Sequence, residues 1–544
     1  MPTDIERLQA IIDEIIGSGA PRKVIVAGAG TGKTTLFRKL LQAHDYPVDE
    51  RLVLTFNNFL KAELEESLGG FARVMTCHGY CRHLLHSRSQ LRGGLSGVFH
   101  YFPPLNSLIE TDWKIIRKQS VPEFVDLMRR LESGAATTFF LDRANKYDAV
   151  SFDDSVFRIH QALTANTGEI DTYKTVLIDE YQDFNKLEAS LLSLLATRSP
   201  IVIVGDDDQS LYIQLRDSSP EHIRARYAES EYAHFALPFC MRCTDVIVRA
   251  VGDIVAAAQR RSLFTGRIDK PYLPYPPSKA ADSAHYPKIK VVETSVQKLT
   301  ANYFGRYVAQ QIDLIPPEEI HESHAGKYPT VLIIGPKQYL KQVRKHLEDS
   351  SYQCLANVEN EPIAVNRNDG LKILHDRPED NLGWRIVLEI DKPSFMAKSI
   401  RDSVTDDNPL SVVLPDDFRE NIIAEANAYI DTVESTPQST SIDQSRPLVK
   451  FTSFEGSKGL SAQHVFVVGL HEGDLPRNSA AITDLEVSKF IVAITRTRKQ
   501  CHLIHSKRWG AGWKHSSPFL SWIRPERRED IKVNRDYWPA PRIS

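Results

Sequence analysis

A glycine-rich turn between a strand and a helix constrains the fold of this chain more than any other sequence feature. The apolar run at 24–28 enters this turn, and the helix-like segment LFRKLLQA leaves it. The loop residues are Ala27, Gly28, Ala29, Gly30, Thr31, Gly32, Lys33, Thr34 and Thr35. Because glycines let backbone N–H groups converge at a helix N-terminus, this order predicts a phosphate-binding loop. We expect Lys33 to reach the β- and γ-phosphates of a bound nucleotide and Thr34 to hold Mg²⁺.

A second strand end supplies the carboxylates that such a site requires. The apolar run at 176–178 ends in Asp179 and Glu180. A carboxylate at the end of a strand can complete the ligand set of Mg²⁺, and its neighbour can orient the attacking water. The sequence therefore predicts a nucleotide-hydrolysing site in which Asp179 binds the metal and Glu180 positions the water.

Two series of short, apolar, β-branched segments predict an α/β fold with two parallel-sheet cores. The first series lies at 24–28, 51–56, 175–180 and 200–206, and the second lies at 330–335, 448–453, 464–470 and 501–505. The proline-rich stretch 270–288 between them is predicted to be a surface connection without helix or central strand. The polar stretch 434–447 is predicted to be another loop.

The length of the chain also requires several domains. Its 544 residues exceed the ~250–300 residues at which a single hydrophobic core stops growing. We predict a first core at 1–85 and 171–235, with a helical insertion at 86–170. We predict a second core at 236–385 and 448–544, with a smaller insertion at 386–447.

Composition narrows the class of protein. The chain is 42% hydrophobic and 25% charged, with a formal net charge of -3, which is typical of globular proteins and argues against coating of nucleic acid by bulk positive charge. No apolar run reaches the ~18 residues that cross a bilayer, and the acidic N-terminus lacks a signal-peptide pattern. We therefore expect a cytoplasmic protein without membrane contact.

The cysteines form two close pairs, Cys77 with Cys81 and Cys240 with Cys243. We interpret these pairs as packing residues rather than as a zinc or iron–sulfur site.

Further motifs, in chain order, resemble those of the UvrD/Rep helicases of superfamily 1. The AGAGTGKT loop, DEYQD at 179–183 and VGDDDQSLY at 204–212 are similar to the family's first, second and third motifs. LPFCMRCT at 237–244, SFEGSKGL at 453–460 and VAITR at 492–496 are similar to later motifs of the family. This resemblance spans nearly the whole chain and implies two RecA-like P-loop cores that hydrolyse ATP between them.

The resemblance also implies roles for individual residues. Gln209 would couple the γ-phosphate to the DNA site, and Arg242 and Arg496 would stabilise charge on the γ-phosphate, with Arg496 as the arginine finger. The residues implied to contact the nucleotide are Gln9, Met241, Lys458 and Gly459. The residues implied to contact DNA are Thr55, Phe56, Asn58, Thr76, His78, Tyr212 and Arg216.

Several positions depart from the family pattern. Leu215 stands where an aromatic side chain stacks on a base, and Met241 stands where a tyrosine packs on adenine. Tyr212 is the alternative aromatic for base stacking. Gln9 either reads adenine or is a solvated residue of an amphipathic helix. Both insertions are short for the family, so we expect a reduced autoregulatory subdomain.

The leading hypothesis is an ATP-dependent helicase or translocase that uses ATP and Mg²⁺ and moves 3′ to 5′ on single-stranded DNA. The alternative is a regulatory ATPase that senses nucleotides or DNA ends and controls a partner nuclease, as in anti-phage defence. An RNA helicase is a third class, which the DEYQD and GDDDQSLY sequences disfavour. Because no nuclease motif follows residue 500, we expect any cutting to be performed by another protein.

Overall fold

The computed structural model describes residues 2–294, 302–355, 364–429 and 442–538, and it confirms an α/β fold with two parallel sheets. The strands in chain order are β1 (Arg22–Ala27), β2 (Arg51–Thr55), β3 (Arg73–Thr76), β4 (His100–Tyr101), β5 (Ala149–Val150), β6 (Thr175–Ile178), β7 (Ile201–Gly205), β8 (Ala233–Leu237), β9 (Phe239–Cys240), β10 (Leu273–Pro274), β11 (Ile289–Thr294), β12 (Val331–Ile334), β13 (Gln353–Cys354), β14 (Leu448–Thr452), β15 (Ala462–Val468), β16 (Thr497–Ser506), β17 (Arg508–Trp509), β18 (Gly512–Trp513) and β19 (Arg528–Val533).

Helices cover both sheets and form the insertions. In chain order they are α1 (Asp4–Gly17), α2 (Lys33–Gln42), α3 (Asn58–Leu68), α4 (Cys77–Ser87), α5 (Leu105–Arg117), α6 (Phe124–Arg129), α7 (Ala135–Lys146), α8 (Phe152–Ala165), α9 (Lys186–Leu195), α10 (Ile213–Arg216), α11 (Glu221–Ala228), α12 (Asp245–Gln259), α13 (Pro276–His285), α14 (Tyr303–Asp313), α15 (Pro317–Ala325), α16 (Lys337–Asp349), α17 (Arg367–Asp376), α18 (Asn381–Asp391), α19 (Met396–Thr405), α20 (Leu410–Val413), α21 (Asp416–Tyr429), α22 (Asp484–Ile494) and α23 (Phe519–Trp522).

The first sheet has the strand order β3-β2-β6-β7-β1-β8. We call this sheet, together with the helices that cover it, the first core. All of its neighbouring strands are parallel. The four strands predicted here, β1, β2, β6 and β7, are buried along almost their whole length. Because parallel strands present their carboxyl ends at one edge, the segments that follow β1, β6 and β7 meet there.

The second sheet, which forms the second core, has the strand order β13-β14-β12-β15-β16-β11-β19 and is also parallel. β12, β14, β15 and β16 confirm the four strands predicted in this half. The sequence did not predict β3 or β8 in the first sheet, nor β11, β13 or β19 in the second. Four of these five strands lie at sheet edges, where polar and charged side chains are tolerated and the apolar pattern is weak.

The prediction for the proline-rich stretch 270–288 was wrong, because α13 occupies residues 276–285 within it. Pro276 and Pro277 lie in the first turn of this helix, where a backbone N–H has no partner within the helix and its loss costs little. Of the polar stretch 434–447, residues 434–441 lie outside the described residues, and residues 442–447 form neither helix nor strand.

Among the helices in the described ranges, none has both the length and the apolarity needed to span a bilayer.

The first predicted insertion packs against a helical unit that contains the second. Helices α5 to α8 and helices α17 to α21 contribute to one hydrophobic cluster, which also includes residues of the first sheet. Leu105 and Leu108 of α5 and Leu382 and Ile386 of α18 belong to it. α17 and the first part of α18 precede residue 386, where the second insertion was predicted to begin. α18 runs through the boundary that we placed between residues 385 and 386. The division into domains otherwise stays a prediction.

A buried charge cluster joins α18 to α5 and α7 of the first insertion within this apolar surrounding. Nε of Arg385 donates to Oδ1 of Asp112 at 2.8 Å, and Nε of Arg143 donates to Oδ2 at 2.9 Å. Burial opposes ionisation of Asp112, but the two guanidinium groups outweigh it and lower the pKa of this carboxyl. Because charged side chains are buried at tolerable cost only when paired, the cluster fixes how α18 lies on α5.

We expect Asp112→Ala to lower the free energy of unfolding by about 3–5 kcal/mol, because it leaves two buried guanidinium groups without their shared carboxylate. The measurement is urea unfolding followed by circular dichroism. Lys398→Ala is the control, since it removes an exposed ion pair on α19 and is expected to cost about 0.5 kcal/mol or less. Equal effects of the two substitutions would show that the cluster does not join α18 to the first insertion.

Candidate functional site

The loop between β1 and α2 has the geometry that anion binding requires. Gly30 and Gly32 adopt left-handed φ angles of 69° and 88°. A Cβ on Gly30 would lie 2.4 Å from Cβ of Arg242, so only glycine fits this close approach. The Thr31 hydroxyl donates to the Gly28 carbonyl oxygen at 2.9 Å and holds the turn. The first N–H groups of α2 therefore point out of the loop, where they favour a phosphate.

Lys33 begins α2 and pairs with Glu180, which follows β6. Both side chains are largely buried. Burial opposes the charge on Lys33, but the carboxylates of Glu180 and Asp179 raise its pKa. Burial also opposes ionisation of Glu180, but Lys33 and Lys458 outweigh it and hold the pKa of this carboxyl well below its ordinary value. Glu180 therefore neutralises the charge of the loop lysine.

Asp179 fits the role of a ligand for a divalent cation. Its Oδ1 atom is buried and accepts no hydrogen bond from the residues that the structure describes. Burial and repulsion by Glu180 raise the pKa of Asp179 to about 7. A cation at this carboxylate would relieve both penalties. Thr34, the second residue of α2, is half-buried and would offer a hydroxyl oxygen to the same ion.

The second core sends two cationic side chains to this edge of the first sheet. Nζ of Lys458 lies 3.4 Å from Oε2 of Glu180, pairs with Asp183 and donates to the Gln209 carbonyl oxygen at 2.7 Å. Nη2 of Arg496 donates to the side-chain oxygen of Gln209 at 3.1 Å. Gln209 is therefore held by both groups, at a point where the two cores meet.

Arg242 lies beside the same cleft. It is half-buried, and its Cβ lies against Gly30 of the loop. Burial and repulsion by Arg242 lower the pKa of Arg496 to about 10. Two guanidinium groups that repel each other next to a phosphate-binding loop favour the binding of an anion between them.

A cavity of about 150 Å³ adjoins the first turn of α2. It brings together Gln9, Met241, Thr31, Gly32 and Thr35, all of which the sequence analysis assigned to the nucleotide. Lys458 and Gly459 lie elsewhere: the lysine pairs with Asp183, and Gly459 packs against Phe59 and Leu60 of α3. Their predicted contacts with the nucleotide stay predictions.

Three consecutive aspartates, Asp206, Asp207 and Asp208, follow β7 and form an acidic cluster that the structure neutralises from two sides. Nζ of Lys270 lies 2.9 Å from Oδ1 of Asp206 and 3.1 Å from Oδ2 of Asp208. Arg267 pairs with Asp208 through two hydrogen bonds of 2.7 and 2.8 Å, and Arg224 pairs with Asp207 at 3.0 Å. Three cations balance three carboxylates, so this cluster offers little affinity for a metal ion.

The predicted DNA-contacting residues form two groups. The first group is a connected set of four side chains, Phe56, His78, Tyr212 and Arg216. The ring centroids of Phe56 and Tyr212 lie 4.7 Å apart. The Arg216 guanidinium lies 4.5 Å from the ring centroid of Phe56, and its Nη2 atom lies 3.2 Å from Nε2 of His78. Burial and Arg216 lower the pKa of His78 to about 3, so its ring is neutral at physiological pH. The second group, Thr55, Asn58 and Thr76, lies where β2 and β3 pass into α3 and α4.

Sequence analysis did not identify several side chains that shape this site. The stretch that was predicted to be a surface connection contains three of them, Lys270, Tyr272 and Tyr275. The available signal was the pair of tyrosines in a proline-rich segment, because tyrosine is more often buried than most polar residues. The exposed Trp513 on the β17–β18 hairpin was also not identified, because it lies outside the motifs that the sequence analysis used.

Comparison with known proteins gives one family match and several relatives. The family described as AAA domain matches residues 12–214. The ATP-dependent DNA helicase UvrD1 of Mycobacterium leprae is 28% identical over 263 residues, which cover 38% of this chain and 33% of the relative. The ATP-dependent DNA helicase PcrA of Staphylococcus epidermidis is 28% identical over 234 residues, 35% of this chain and 32% of the relative. The chain thus spans about a third of the length of these relatives.

We expect Asp179→Asn to stabilise the protein at about pH 8 in the absence of divalent cations. The folded-state pKa of Asp179, about 7, lies above the ordinary value of 3.8. The charged form therefore destabilises the folded state progressively as the pH rises between these values, and not below them. The difference in urea midpoint between the variant and the wild type should grow from about pH 5 to about pH 8. A difference that does not change with pH would contradict this assignment.

Proposed function

We propose that this chain, a UvrD/Rep-like superfamily 1 protein, hydrolyses ATP between its two cores and uses the cycle to move on single-stranded DNA. The observation that carries the proposal is the meeting of Lys33 and Glu180 of the first core with Lys458 and Arg496 of the second. Relatives that are named ATP-dependent DNA helicases support it. The direction, 3′ to 5′, rests on the resemblance of the motifs alone.

The ion pair of Lys33 with Glu180 supports a route by which a bound nucleotide would start hydrolysis. A γ-phosphate at the loop attracts Lys33 away from Glu180, and the released carboxylate can then orient water and accept its proton. Mg²⁺ held by Thr34 and Asp179 would neutralise charge on the β- and γ-phosphates. Arg242 and Arg496 would stabilise the charge that develops in the transition state.

Coupling to DNA would pass through Gln209. Its side chain contacts Arg496 of the second core, and three residues later Tyr212 packs against Phe56. Tyr212 also donates to the Glu455 carbonyl oxygen of the second core at 3.2 Å. A change at the γ-phosphate would therefore move the aromatic pair, whose rings are candidates for stacking with a base.

A regulatory ATPase that controls a partner nuclease is the second candidate. The exposed side chain of Leu215 favours it, since this leucine offers no ring for base stacking. The packing of the second insertion against the first also favours it, because this contact limits independent movement of the insertion.

ATP hydrolysis by the purified chain tests the first proposal. We expect strong stimulation by single-stranded DNA, weaker stimulation by duplex ends and little by single-stranded RNA. Glu180→Gln is expected to lower kcat by about 10²-fold or more, because it removes the group that accepts the proton of water. No stimulation by any nucleic acid would exclude a helicase that acts alone and would leave the partner-dependent ATPase.

The β17–β18 hairpin provides a separate test of unwinding. Trp509 packs against Tyr339 with ring centroids 4.3 Å apart, whereas Trp513 at the other strand is 74% exposed and is followed by Lys514. Such a ring can stack on a base or a base pair.

We expect Trp513→Ala to slow duplex unwinding severalfold while the DNA-stimulated ATPase rate stays within about twofold of the wild type, because the ring would act at the duplex and not at the phosphate site. Leu314→Ala is the control, since it truncates another exposed apolar side chain of the second core. Equal unwinding by both variants would exclude a role for the hairpin.

A further inference from the structure

The segment 264–275, which we call the strap, leaves the second core after α12 and returns to the first core. Arg267 and Lys270 of the strap bind Asp208 and Asp206, and the N–H of Ile268 donates to Asp207 at 2.9 Å. Lys270 is buried, and its pKa is raised because the three carboxylates outweigh the effect of burial. These contacts fix the strap beside the phosphate-binding loop.

The strap delivers two tyrosines to this loop. The hydroxyl of Tyr272 donates to the Ala29 carbonyl oxygen at 2.9 Å. The next two residues pair as β10 with β9, which sets the direction in which the chain continues. Tyr275 then packs against Phe239, with ring centroids 5.7 Å apart, and forms part of the wall of the cavity beside α2.

This cavity has the composition of a site for a flat, mostly apolar group with polar edges. Its apolar walls come from Leu8, Ile12, Met241 and Tyr275, and its volume is about 150 Å³. Its polar side chains are Gln9, Lys39, Thr31 and Thr35. The oxygen of the Gln9 side-chain amide accepts from Lys39 at 3.0 Å, and its nitrogen donates to Asp13 at 2.6 Å. One N–H and one lone pair of this amide are left for a ligand.

We propose that Tyr275 is a specificity-determining residue, which forms the aromatic wall of a nucleobase site, with the Gln9 amide at its edge. This inference rests on the proposed binding of a nucleotide. The cavity adjoins Thr31, Gly32 and Thr35 at the start of α2, so a nucleotide with its phosphates on the loop can place its base there. An amide that donates one hydrogen bond and accepts another matches N7 and the 6-amino group of adenine.

The strap gives Tyr275 this position from outside the motifs that the sequence analysis used. Met241, the residue predicted to meet the base, contributes a flexible thioether chain to the same wall. A ring held by Phe239 and by the pinned strap offers a flat surface that is already ordered before the ligand binds.

The proposal is tested by comparing two ligands, MgATP, which carries a base, and magnesium tripolyphosphate, which does not. The affinity of each ligand is measured by calorimetry for the full-length wild type and for three variants: Tyr275→Leu, Tyr275→Phe and the control Tyr46→Ala. Leucine keeps apolar packing against Phe239 but has no ring, and Tyr46 stacks on His44, outside the residues that line the cavity.

We expect Tyr275→Leu to weaken MgATP binding about tenfold and tripolyphosphate binding less than twofold, since only the nucleotide has a base to stack. Tyr275→Phe and Tyr46→Ala should leave both affinities within about twofold of the wild type. Equal weakening of both ligands, or of neither, by Tyr275→Leu would overturn the nucleobase site while leaving the ATPase proposal standing. Failure of the wild type to bind either ligand would overturn both.

Discussion

Charge compensation around Glu180 is the interaction on which the rest of the site depends. This buried carboxylate contacts one lysine from each core, Lys33 and Lys458. Buried ion pairs add little net stability, because the cost of removing two charges from water offsets their attraction. Their value here is positional: separating the cores would remove Lys458 from Glu180 and Asp183, leaving buried carboxylates that lack a partner. The two cores therefore have a preferred relative placement.

The acidic cluster after β7 extends this balance to the strap. Asp206, Asp207 and Asp208 directly precede Gln209, and their cationic partners Lys270 and Arg267 lie on the strap. The residues around the proposed γ-phosphate position and the residues around the proposed nucleobase position are thus connected by one set of short contacts. In this arrangement, the γ-phosphate and the base of a nucleotide would both contact the unit formed by the acidic cluster and the strap.

The sequence predicted the parts of the fold that are encoded locally. The phosphate-binding loop, the carboxylates after β6 and eight strands followed from apolar runs and glycine positions. The edge strand β19 was not predicted, because its charged sequence lacks an apolar run, and α13 was not predicted, because its two prolines were interpreted as helix breakers. The pairing of Asp112 with Arg385 and the cavity that Tyr275 and Gln9 both line depend on residues far apart in the chain. No local sequence pattern predicts such an arrangement.

The shared hydrophobic cluster of the two insertions makes the molecule a closed mechanical loop. The chain leaves the second core after β13, passes through α17 to α21, which pack on the first-core side, and re-enters the second core at β14. The strap forms a second attachment of the second core to the first-core body. Any movement that opens the cleft must therefore bend or break one of these two attachments, in addition to separating Lys458 and Arg496 from their partners in the first core.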